Sequence, residues 1–156
     1  MFTVDIPGRG RLEIAHLVLD LNGTLAADGV VPGAVVERLR ALSDGVRVHV
    51  VTADTFGTAA RLHGQGIQIQ VLPPGDHVEA KAAIVRALGV SHTIAIGNGS
   101  NDEAMVREAA VGIAIVGQEG AAARTVAAAD IVVAHIEDAL DLLLAPARLV
   151  ATLRTR

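Results

Sequence analysis

The sequence predicts an α/β fold in which helices cover both faces of a central, mostly parallel sheet. Short apolar runs of strand length alternate with segments whose apolar residues recur at helical spacing, which is typical of parallel strands joined by right-handed crossovers. Apolar residues make up 51% of the 156 positions, enough for a sizeable core. No linker rich in Ser, Pro or charge interrupts the chain, so we expect one domain over residues 1–156.

Residues 1–15 are expected to form a small N-terminal β-hairpin. Two short strand candidates, 2–6 and 11–14, flank the turn Pro7-Gly8-Arg9-Gly10. We expect this hairpin to lie at the edge of a sheet and to be a frayed start of the chain without a functional role.

Six strands and six helices are expected in the core, which spans about residues 16–144. The strand candidates are short apolar runs beside turn-forming residues: 16–20, 46–51, 67–72, 93–96, 112–116 and 131–133. The helix candidates have apolar residues at helical spacing: 32–42, 55–62, 77–88, about 102–110, 121–128 and 136–144. Residues 145–156 carry three arginines and are expected to form a solvated C-terminal helix or tail.

Composition argues against several classes of function. The chain has two Phe, no Trp and no Tyr, so it lacks aromatic platforms for stacking on bases, and its formal charge of −4 disfavours a phosphate-backbone partner. We therefore expect no nucleic-acid binding. The amino terminus is too polar, and too broken by Pro7 and Gly8, for a signal peptide, and the longest apolar stretches have only the length of a strand. These features favour a cytoplasmic protein with no membrane partner.

Polar side chains follow several of the predicted strands. Asp20 ends the first core strand, Thr52 follows the second, and the fourth runs into the loop Gly97-Asn98-Gly99-Ser100-Asn101-Asp102. Lys81 lies near the start of the helix that follows the third strand. Because the carboxyl ends of parallel strands share one edge of the sheet, we expect these residues to converge although they lie far apart in the sequence.

The expected cluster has the chemistry of a site for an anion and a hard metal ion. Carboxylate and carbonyl oxygens suit Mg²⁺, whereas Thr and Lys donors suit phosphate oxygens. An Asp side chain can also carry a covalent phosphoryl group. The chain has no Cys, so thiolate metal sites are excluded, and its six His residues show no metal-ligand spacing.

These residues carry a resemblance to a known family. The run Asp20-Leu21-Asn22-Gly23-Thr24-Leu25 resembles the first motif of the haloacid dehalogenase (HAD) superfamily, Asp-x-Asp-Gly-Thr or Asp-Lys-Thr-Gly-Thr. Thr52 resembles the second motif, Lys81 the third, and residues 97–102 the fourth, Gly-Asp-Gly-x-Asn-Asp. Residues 112–133 are similar to the stretch of P-type ATPases that leads to Ala-Asp-Ile-Val. The chain thus looks like a soluble relative of the phosphorylation domain of P-type ATPases, over residues 16–144.

The resemblance implies a three-layer, Rossmann-like HAD core and a mechanism of phosphoryl transfer. Asp20 would attack phosphorus and form an aspartyl-phosphate, with Mg²⁺ offsetting the charge between the carboxylate and the phosphoryl oxygens. The implied catalytic residues are Asp20, Asn22, Thr52 and Lys81. The implied phosphate-binding residues are Asp20, Gly23, Thr52, Ala53, Lys81 and Asn101. The implied surroundings of the Mg²⁺ are Asp20, the backbone carbonyl of Asn22, Asn98 and Asp102.

Two positions depart from the family motifs. Family phosphatases usually have Asp where this chain has Asn22, and that Asp protonates the leaving group and then activates water. An amide does not titrate, so losing the Asp could cost roughly 10²–10⁴-fold in rate. Asn98 replaces the first Asp of the fourth motif, which removes one negative charge from the metal site. We therefore expect a slow phosphatase, or a protein that persists in the phosphorylated form.

The spacing of the motifs leaves no room for a cap domain. Roughly thirty residues separate Asp20 from Thr52, and a similar number separate Thr52 from Lys81, just enough for one crossover unit. The resemblance implies that other members of the family carry a cap or a nucleotide-binding domain at these two places, and this chain has neither insertion. We expect the open site to take a phosphorylated small molecule or an exposed phosphoryl group of a larger substrate. A second subunit of a homodimer could also cover it.

A second class of function stays open. The same fold could serve as a non-enzymatic module that binds phosphate, a phosphorylated ligand or a protein such as a transport ATPase, with Asn22 and Asn98 reflecting weakened catalysis. A general nucleotide-binding domain is disfavoured, because the chain has neither a Gly-x-Gly-x-x-Gly turn nor a Walker lysine loop.

Each site residue also has an ordinary structural interpretation. Taken singly, Asp20 and Asp102 would more often be turn or helix caps, Thr52 a turn hydroxyl and Lys81 a solvated helix residue. The pair Asp54-Thr55, just past the second motif, is more typical of a helix cap than of a site. Only the order and spacing of the four motifs favour the catalytic interpretation.

Overall fold

The structure, a computed structural model, describes residues 1–53 and 57–156. These residues contain eight strands: β1 (Phe2–Ile6), β2 (Gly10–Ile14), β3 (His16–Asp20), β4 (Arg47–Thr52), β5 (Ile67–Val71), β6 (Thr93–Gly97), β7 (Val111–Ile115) and β8 (Ile131–Val133). They also contain six α-helices: α1 (Gly33–Ser43), α2 (His77–Leu88), α3 (Glu103–Glu108), α4 (Ala123–Ala128), α5 (Ile136–Leu144) and α6 (Pro146–Leu153). Short 3₁₀ helices lie at Thr58–Leu62, Val90–His92 and Ser100–Asp102.

Strands β3 to β8 form one parallel sheet in the order β5-β4-β3-β6-β7-β8. The chain runs outward from β3 to β4 and β5, and then crosses to β6 on the other side of β3. The strand order therefore reverses between β3 and β6. In open α/β sheets such a switch point leaves a crevice beyond the carboxyl ends of the strands, where ligands bind. The predicted α/β class is confirmed.

Helices cover both faces of this sheet and produce the three predicted layers. Successive residues of a strand point to opposite faces. Leu19 of β3 is buried in a cluster with Leu39 of α1, on the face that α5 also covers. Val18 is buried on the other face, with Val85 of α2 and Met105 of α3. The core strands are buried on both sides, which explains why they read as continuous apolar runs.

The N-terminal hairpin differs from the prediction. β1 and β2 form their own antiparallel two-stranded sheet, so the placement at the edge of a larger sheet is wrong. The expected frayed start is also wrong, because Ile6 and Ile14 are 2% and 0% exposed within the main core. The guanidinium of Arg9 donates to the carbonyl of Ala110 (2.6 Å) and pairs with Asp130 (2.9 Å). These contacts fix a hairpin that would be marginal by itself in water.

The C-terminal segment is a helix, as predicted, but one side of it is buried. Leu149 of α6 is fully buried, and Val150 and Leu153 pack against the main core. The backbone amide of Thr155 donates to the carbonyl of Pro7 in the hairpin (3.0 Å). The core therefore extends beyond residue 144, and the solvated tail expected from the sequence is incorrect for this face of α6.

Several element boundaries shift by a few residues. α3 begins at Glu103, after a 3₁₀ turn, and α4 begins at Ala123 instead of residue 121. The bounds of β4 and β5 agree with the prediction to within one residue at each end. Part of the predicted helix 55–62 lies outside the described residues, and Thr58–Leu62 is a 3₁₀ helix.

The segments that follow β3 and β4 are short. Residues 21–32 form a compact loop held by two isolated bridges, Asn22 with Ala26 and Ala27 with Val30. In residues 1–53 and 57–156, no additional domain interrupts the sheet. Over the same ranges, no helix combines the length and the apolar character needed to cross a membrane.

Candidate active site

The carboxyl ends of three strands bring predicted site residues to one edge of the sheet. Asp20 is the last residue of β3 and lies opposite Val51, so Thr52 is one residue farther along the neighbouring strand. Asn98 follows β6, on the other side of β3. Asp20, Thr52 and Asn98 are all buried, with exposures of 7%, 1% and 9%. They surround the switch point of the sheet, where the sequence predicts that they converge.

Lys81 provides the positive charge at the centre of this edge. It lies in the second turn of α2, a helix that Asp76 caps by accepting a hydrogen bond from the amide of Glu79 (3.2 Å). Its Nζ lies 2.7 Å from Oδ1 of Asp20 and 2.7 Å from Oδ1 of Asp102. The side chain of Lys81 is 1% exposed. A buried ammonium group requires such partners, so the interpretation of Lys81 as a solvated helix residue is wrong.

The charges of the triad formed by Asp20, Asp102 and Lys81 do not cancel. Two carboxylates share one ammonium group, which leaves a net charge of −1 when all three are ionised. Burial, and then repulsion from Asp102, raises the pKa of Asp20 to about 6 although Lys81 opposes the change. Burial lowers the pKa of Lys81, but attraction to the two carboxylates outweighs burial and the pKa is raised overall. Another cation next to Asp20 would therefore be favourable.

Asp102 organises the loop that follows β6. Its Oδ2 accepts hydrogen bonds from the backbone amides of Asn98 (3.0 Å) and Gly99 (2.9 Å), while Oδ1 pairs with Lys81. Asp102 makes no capping bond to α3, but its bond from the amide of Gly99 caps the 3₁₀ helix Ser100–Asp102, so the capping interpretation holds for that turn. Both oxygens are engaged and the residue is 0% exposed. This geometry favours Asp102 as a positioning residue of the metal environment over an open metal ligand.

Asn98 joins three loops at the same edge. Thr24 Oγ1 donates to Oδ1 of Asn98 (3.2 Å), and Nδ2 of Asn98 donates to the carbonyl of Gly120 in the loop after β7 (3.1 Å). The backbone carbonyl of Asn98 accepts from the amide of Ala122 (2.8 Å). A carboxylate could not donate to Gly120, so the amide at position 98 has a structural role that Asp would lose.

Gly23 allows the loop after β3 to close on Asn98. Its φ of +78° lies in the left-handed region that glycine adopts readily. A Cβ atom at this position would lie 2.9 Å from Oδ1 of Asn98 and 2.5 Å from Oε2 of Glu119. Glycine is therefore needed here both for the turn and for the close approach of the two side chains.

The other predicted residues lie around the charged triad. Thr52 is buried at the end of β4, and Ala53 is exposed immediately after it. Asn22 is exposed, and Asn101 is half-buried with its side chain folded over Gly99. Within the described part of the chain, the side chains of Asn22 and Asn101 form no hydrogen bond with the triad. The pair Asp54-Thr55 lies outside the described residues.

The residues at this edge offer oxygen atoms of the types that suit a hard divalent cation. They are the Asp20 carboxylate, whose Oδ1 accepts from Lys81, the amide oxygen of Asn98, which accepts from Thr24, and the backbone oxygen of Asn22. Among the described residues, no donor bonds to the backbone oxygen of Asn22. Oxygens of these types are preferred ligands of Mg²⁺. Across the described residues, no group of three or more His, Cys, Asp or Glu is already assembled to hold a metal.

A cleft of about 160 Å³ opens beside Gly23. The loops after β3 and β7 and the start of α5 form its walls, with lining residues that include Leu25, Ala26, Ile115, Glu119, His135 and Glu137. Leu25 and Ile115 are buried, whereas Glu119 and His135 are exposed. The cleft is therefore apolar inside and charged at its rim.

Sequence reasoning missed three residues that shape this edge: Thr24, Glu119 and Thr125. The hydroxyl of Thr125, which is fully buried in α4, donates to the carbonyl of Gly99 (2.7 Å). Its sequence signal is a single Thr within an Ala-rich run. Thr24 belongs to the first motif but has no role assigned there, and Glu119, on an irregular loop, carries no sequence signal.

The fold and the site together define a class of protein: this chain has the fold of HAD superfamily hydrolases. It is similar to the 3-deoxy-D-manno-octulosonate 8-phosphate phosphatase of Moraxella catarrhalis, solved with magnesium, phosphate and KDO (22% identity, TM-score 0.65, 85% of this chain and 86% of that chain). It is also similar to the cobalt-bound deoxy-D-mannose-octulosonate 8-phosphate phosphatase of Haemophilus influenzae (17%, TM-score 0.70, 87% and 90%). A haloacid dehalogenase-like hydrolase of Bacteroides thetaiotaomicron gives 12% identity and a TM-score of 0.64, over 84% and 100%.

Two archaeal sequences are closer in identity but shorter in extent. MJ0073, an uncharacterized protein of Methanocaldococcus jannaschii, is 56% identical over 61 residues, 39% of this chain and 66% of that protein. MJ0072, an uncharacterized protein of the same organism, is 44% identical over 39 residues, 25% of this chain and 89% of that protein. The chain belongs to one family with MJ0072, and it spans less than two thirds of the length of MJ0073. No family model matches it.

Proposed function

We propose that this chain is a Mg²⁺-dependent phosphatase that acts through an aspartyl-phosphate on Asp20. The observation that carries the proposal is the buried contact of Lys81 Nζ with Asp20 and Asp102, at 2.7 Å each, at the switch point of the sheet. Burying three charges is expensive, and apolar residues of similar volume would often stabilise a fold as well or better. A chemical role explains the triad more directly. The phosphatases of similar fold that bind magnesium or cobalt support a divalent cation here.

Asp20 is proposed as the nucleophile of an in-line transfer. A bond forms between a carboxylate oxygen of Asp20 and phosphorus while the bond from phosphorus to the leaving oxygen breaks, and that oxygen takes up a proton from solvent water. Lys81 fixes the carboxylate and offsets charge on a phosphoryl oxygen, and Thr52 binds a second oxygen. The backbone amides of Gly23 and Ala53 and the side chain of Asn101 are proposed as further donors. Mg²⁺, when bound, would neutralise charge between the carboxylate and the phosphoryl group.

Hydrolysis of the aspartyl-phosphate completes the proposed cycle. Water attacks phosphorus, the bond from phosphorus to Asp20 breaks, and inorganic phosphate leaves the restored carboxylate. Asn22 cannot accept the proton of the attacking water, because an amide does not titrate in this range. We therefore propose that this second step is slow and that the phosphorylated chain accumulates.

The cleft beside Gly23 is the proposed place for the leaving group. A volume of about 160 Å³ suits a small molecule, and the carboxylates of Glu119 and Glu137 at the rim favour an uncharged or basic alcohol. Residues 1–53 and 57–156 contain no cap domain, so an exposed phosphoryl group of a larger substrate is also compatible with the site. A homodimer that covers the site is part of the same proposal.

The test uses acetyl phosphate and p-nitrophenyl phosphate, with and without Mg²⁺. Phosphate release and the intact mass of the protein are followed for the wild type and for Asp20→Asn, which preserves the volume of the side chain. We expect Mg²⁺-dependent release, and a phosphoryl adduct that is absent in the variant. Release that persists in Asp20→Asn would contradict the assignment of the nucleophile.

A second candidate is a module that binds a phosphorylated ligand or a protein without turnover, as the likeness to the P-type ATPase phosphorylation domain would allow. Asn22 favours it, because an exposed amide stands where the resemblance implies an acid. Absence of both adduct and release, together with measurable binding of inorganic phosphate by calorimetry, would favour this function.

A further inference from the structure

We propose that Glu119 supplies the negative charge that Asn98 lacks, so that the Mg²⁺ environment includes a carboxylate from the loop after β7. This inference rests on the proposed use of Mg²⁺ at Asp20. It adds a residue outside the four motifs, from a loop to which the sequence assigns no chemistry.

The first argument is the position of the Glu119 carboxylate. Oε2 of Glu119 and Oδ1 of Asn98 lie 2.5 Å and 2.9 Å from the point that a Cβ of Gly23 would occupy, and Nδ2 of Asn98 lies nearer to that point than either. The two polar groups therefore meet over the backbone of the first motif, directly after Asn22. The missing side chain of Gly23 is what allows the carboxylate to reach this place.

The second argument is that Asn98 itself fixes the loop that carries Glu119. Nδ2 of Asn98 donates to the carbonyl of Gly120 (3.1 Å), and the amide of Ala122 donates to the carbonyl of Asn98 (2.8 Å). Both bonds lie just after Glu119 in the chain. An Asp at position 98 would have no donor for Gly120, and its charge would repel Glu119. The amide at position 98 and the carboxylate at position 119 thus form one arrangement.

The third argument is the balance of charge. Asp20, Asp102 and Lys81 carry two negative charges and one positive charge, a sum of −1 against the +2 of the ion. Glu119 brings the sum to −2, which equals the charge of Mg²⁺ with the opposite sign. Glu119 is exposed, so it would act through a water molecule of the ion, and Mg²⁺ usually retains several waters.

Binding of Mg²⁺ alone tests the proposal, by calorimetry on the whole chain without any phosphate compound. We expect Glu119→Gln to raise the Kd for Mg²⁺ by about five- to tenfold, because a single exposed carboxylate near the ion contributes an effect of that order. The matched control is Glu137→Gln, which removes the other carboxylate at the rim of the same cleft and should leave Kd unchanged. An equal effect of both substitutions, or none from Glu119→Gln, would overturn the inference.

Moving the carboxylate back to position 98 provides a second test. We expect Asn98→Asp to restore Mg²⁺ affinity in the Glu119→Gln background, and to give no comparable gain when Glu119 is present. Equal gains in both backgrounds would show that the residues act independently and would overturn the inference.

These results are separable from those on the phosphatase. A wild type that binds Mg²⁺ with the expected loss in Glu119→Gln, yet releases no phosphate, supports this inference and contradicts the proposed function. A wild type that releases phosphate, together with a Glu119→Gln variant that keeps its affinity for Mg²⁺, supports the proposed function and overturns this inference.

Discussion

Lys81 is the only lysine among the thirteen Lys and Arg residues of the chain, and it is the one buried between Asp20 and Asp102. Arginines serve at the surface, as in the pair of Arg86 with Glu79. A compact ammonium group on a flexible stem can contact two carboxylates at one point, whereas a guanidinium is planar and larger. The geometry of the site therefore explains the choice of residue at position 81.

Replacing Lys81 by Met should lower the free energy of unfolding by about 3–5 kcal/mol near pH 8, because two carboxylates then remain buried without a cation. Urea unfolding measures the change. The control is Arg86→Met on the same helix, which removes two half-exposed ion pairs, with Glu79 and Glu108, and should cost about 1 kcal/mol. A loss below that value for Lys81→Met would show that the triad does not depend on its ammonium group.

Replacing Asn22 by Asp should raise the rate of phosphate release by about 10²-fold or more, because a titrating group would then activate water. The position is exposed, so the melting temperature should change little. Phosphate release after preforming the adduct isolates this step. If the adduct of Asn22→Asp decays at the rate of the wild type, the acid–base part of the account is wrong.

The sequence predicts the charged residues of the site better than the hydrogen bonds that hold the loops around them. Asp20 and Lys81 follow from motif order, because strands and helices place them at defined ends of regular elements. The bond from Asn98 to Gly120 joins residues separated by a 3₁₀ turn, the helix α3 and the strand β7. The conformation of an irregular loop depends on such distant bonds, so the position of Glu119 could not be read from local patterns.

At the level of elements, the hairpin and α6 show where periodicity is insufficient. Each is short, and its apolar residues do not indicate which element covers them, because the partners lie at opposite ends of the chain. The amide of Thr155 bonds to Pro7, and Leu149 is fully buried. The alternation of strands and helices between them is predicted well, because turn residues and apolar runs mark each boundary.

Leu149→Ala should lower the free energy of unfolding by about 2–5 kcal/mol, because it removes a fully buried side chain and leaves a cavity. Leu144→Ala is the matched control at a position that is 42% exposed, and it should have a smaller effect. Chemical denaturation of both variants provides the comparison. Equal losses would mean that α6 does not contribute to the core as its burial indicates.

At the scale of the whole molecule, the two edges of the sheet differ in chemistry. The carboxyl edge of the sheet holds the triad. The amino-terminal half of strands β3 and β4 holds the imidazoles of His16 and His49. Nδ1 of His16 lies 3.1 Å from Nε2 of His49. Burial, and then the charges of Arg47 and His92, lowers the pKa of His16; burial, and then His16 and Arg47, lowers the pKa of His49.

Stability should therefore depend on pH through this pair. The folded-state pKa values lie below the unfolded value of 6.5, so the unfolded chain binds protons first as the pH falls. The stabilisation present above pH 6.5 is lost as the pH falls through the folded pKa values. The raised pKa of Asp20 acts in the opposite direction, so a single pH profile mixes both effects.

The comparison of the wild type with His49→Gln separates them, because both proteins contain Asp20. Melting temperatures at pH 7.5 and pH 5.5 are the measurement. We expect His49→Gln to lose less stability, or gain more, than the wild type on acidification. Identical changes in the two proteins would assign the pH dependence to other groups.

Burial of Lys81 shields its amine from reagents in the folded state. An acylating reagent can modify Lys81, at 1% exposure and bonded to two carboxylates, only when α2 opens away from β3. The rate at which an acyl group appears on Lys81, followed by peptide mass, would therefore report the opening of this one region. Acylation of Lys81 would thus measure the rate of local unfolding at the site without any change to the sequence.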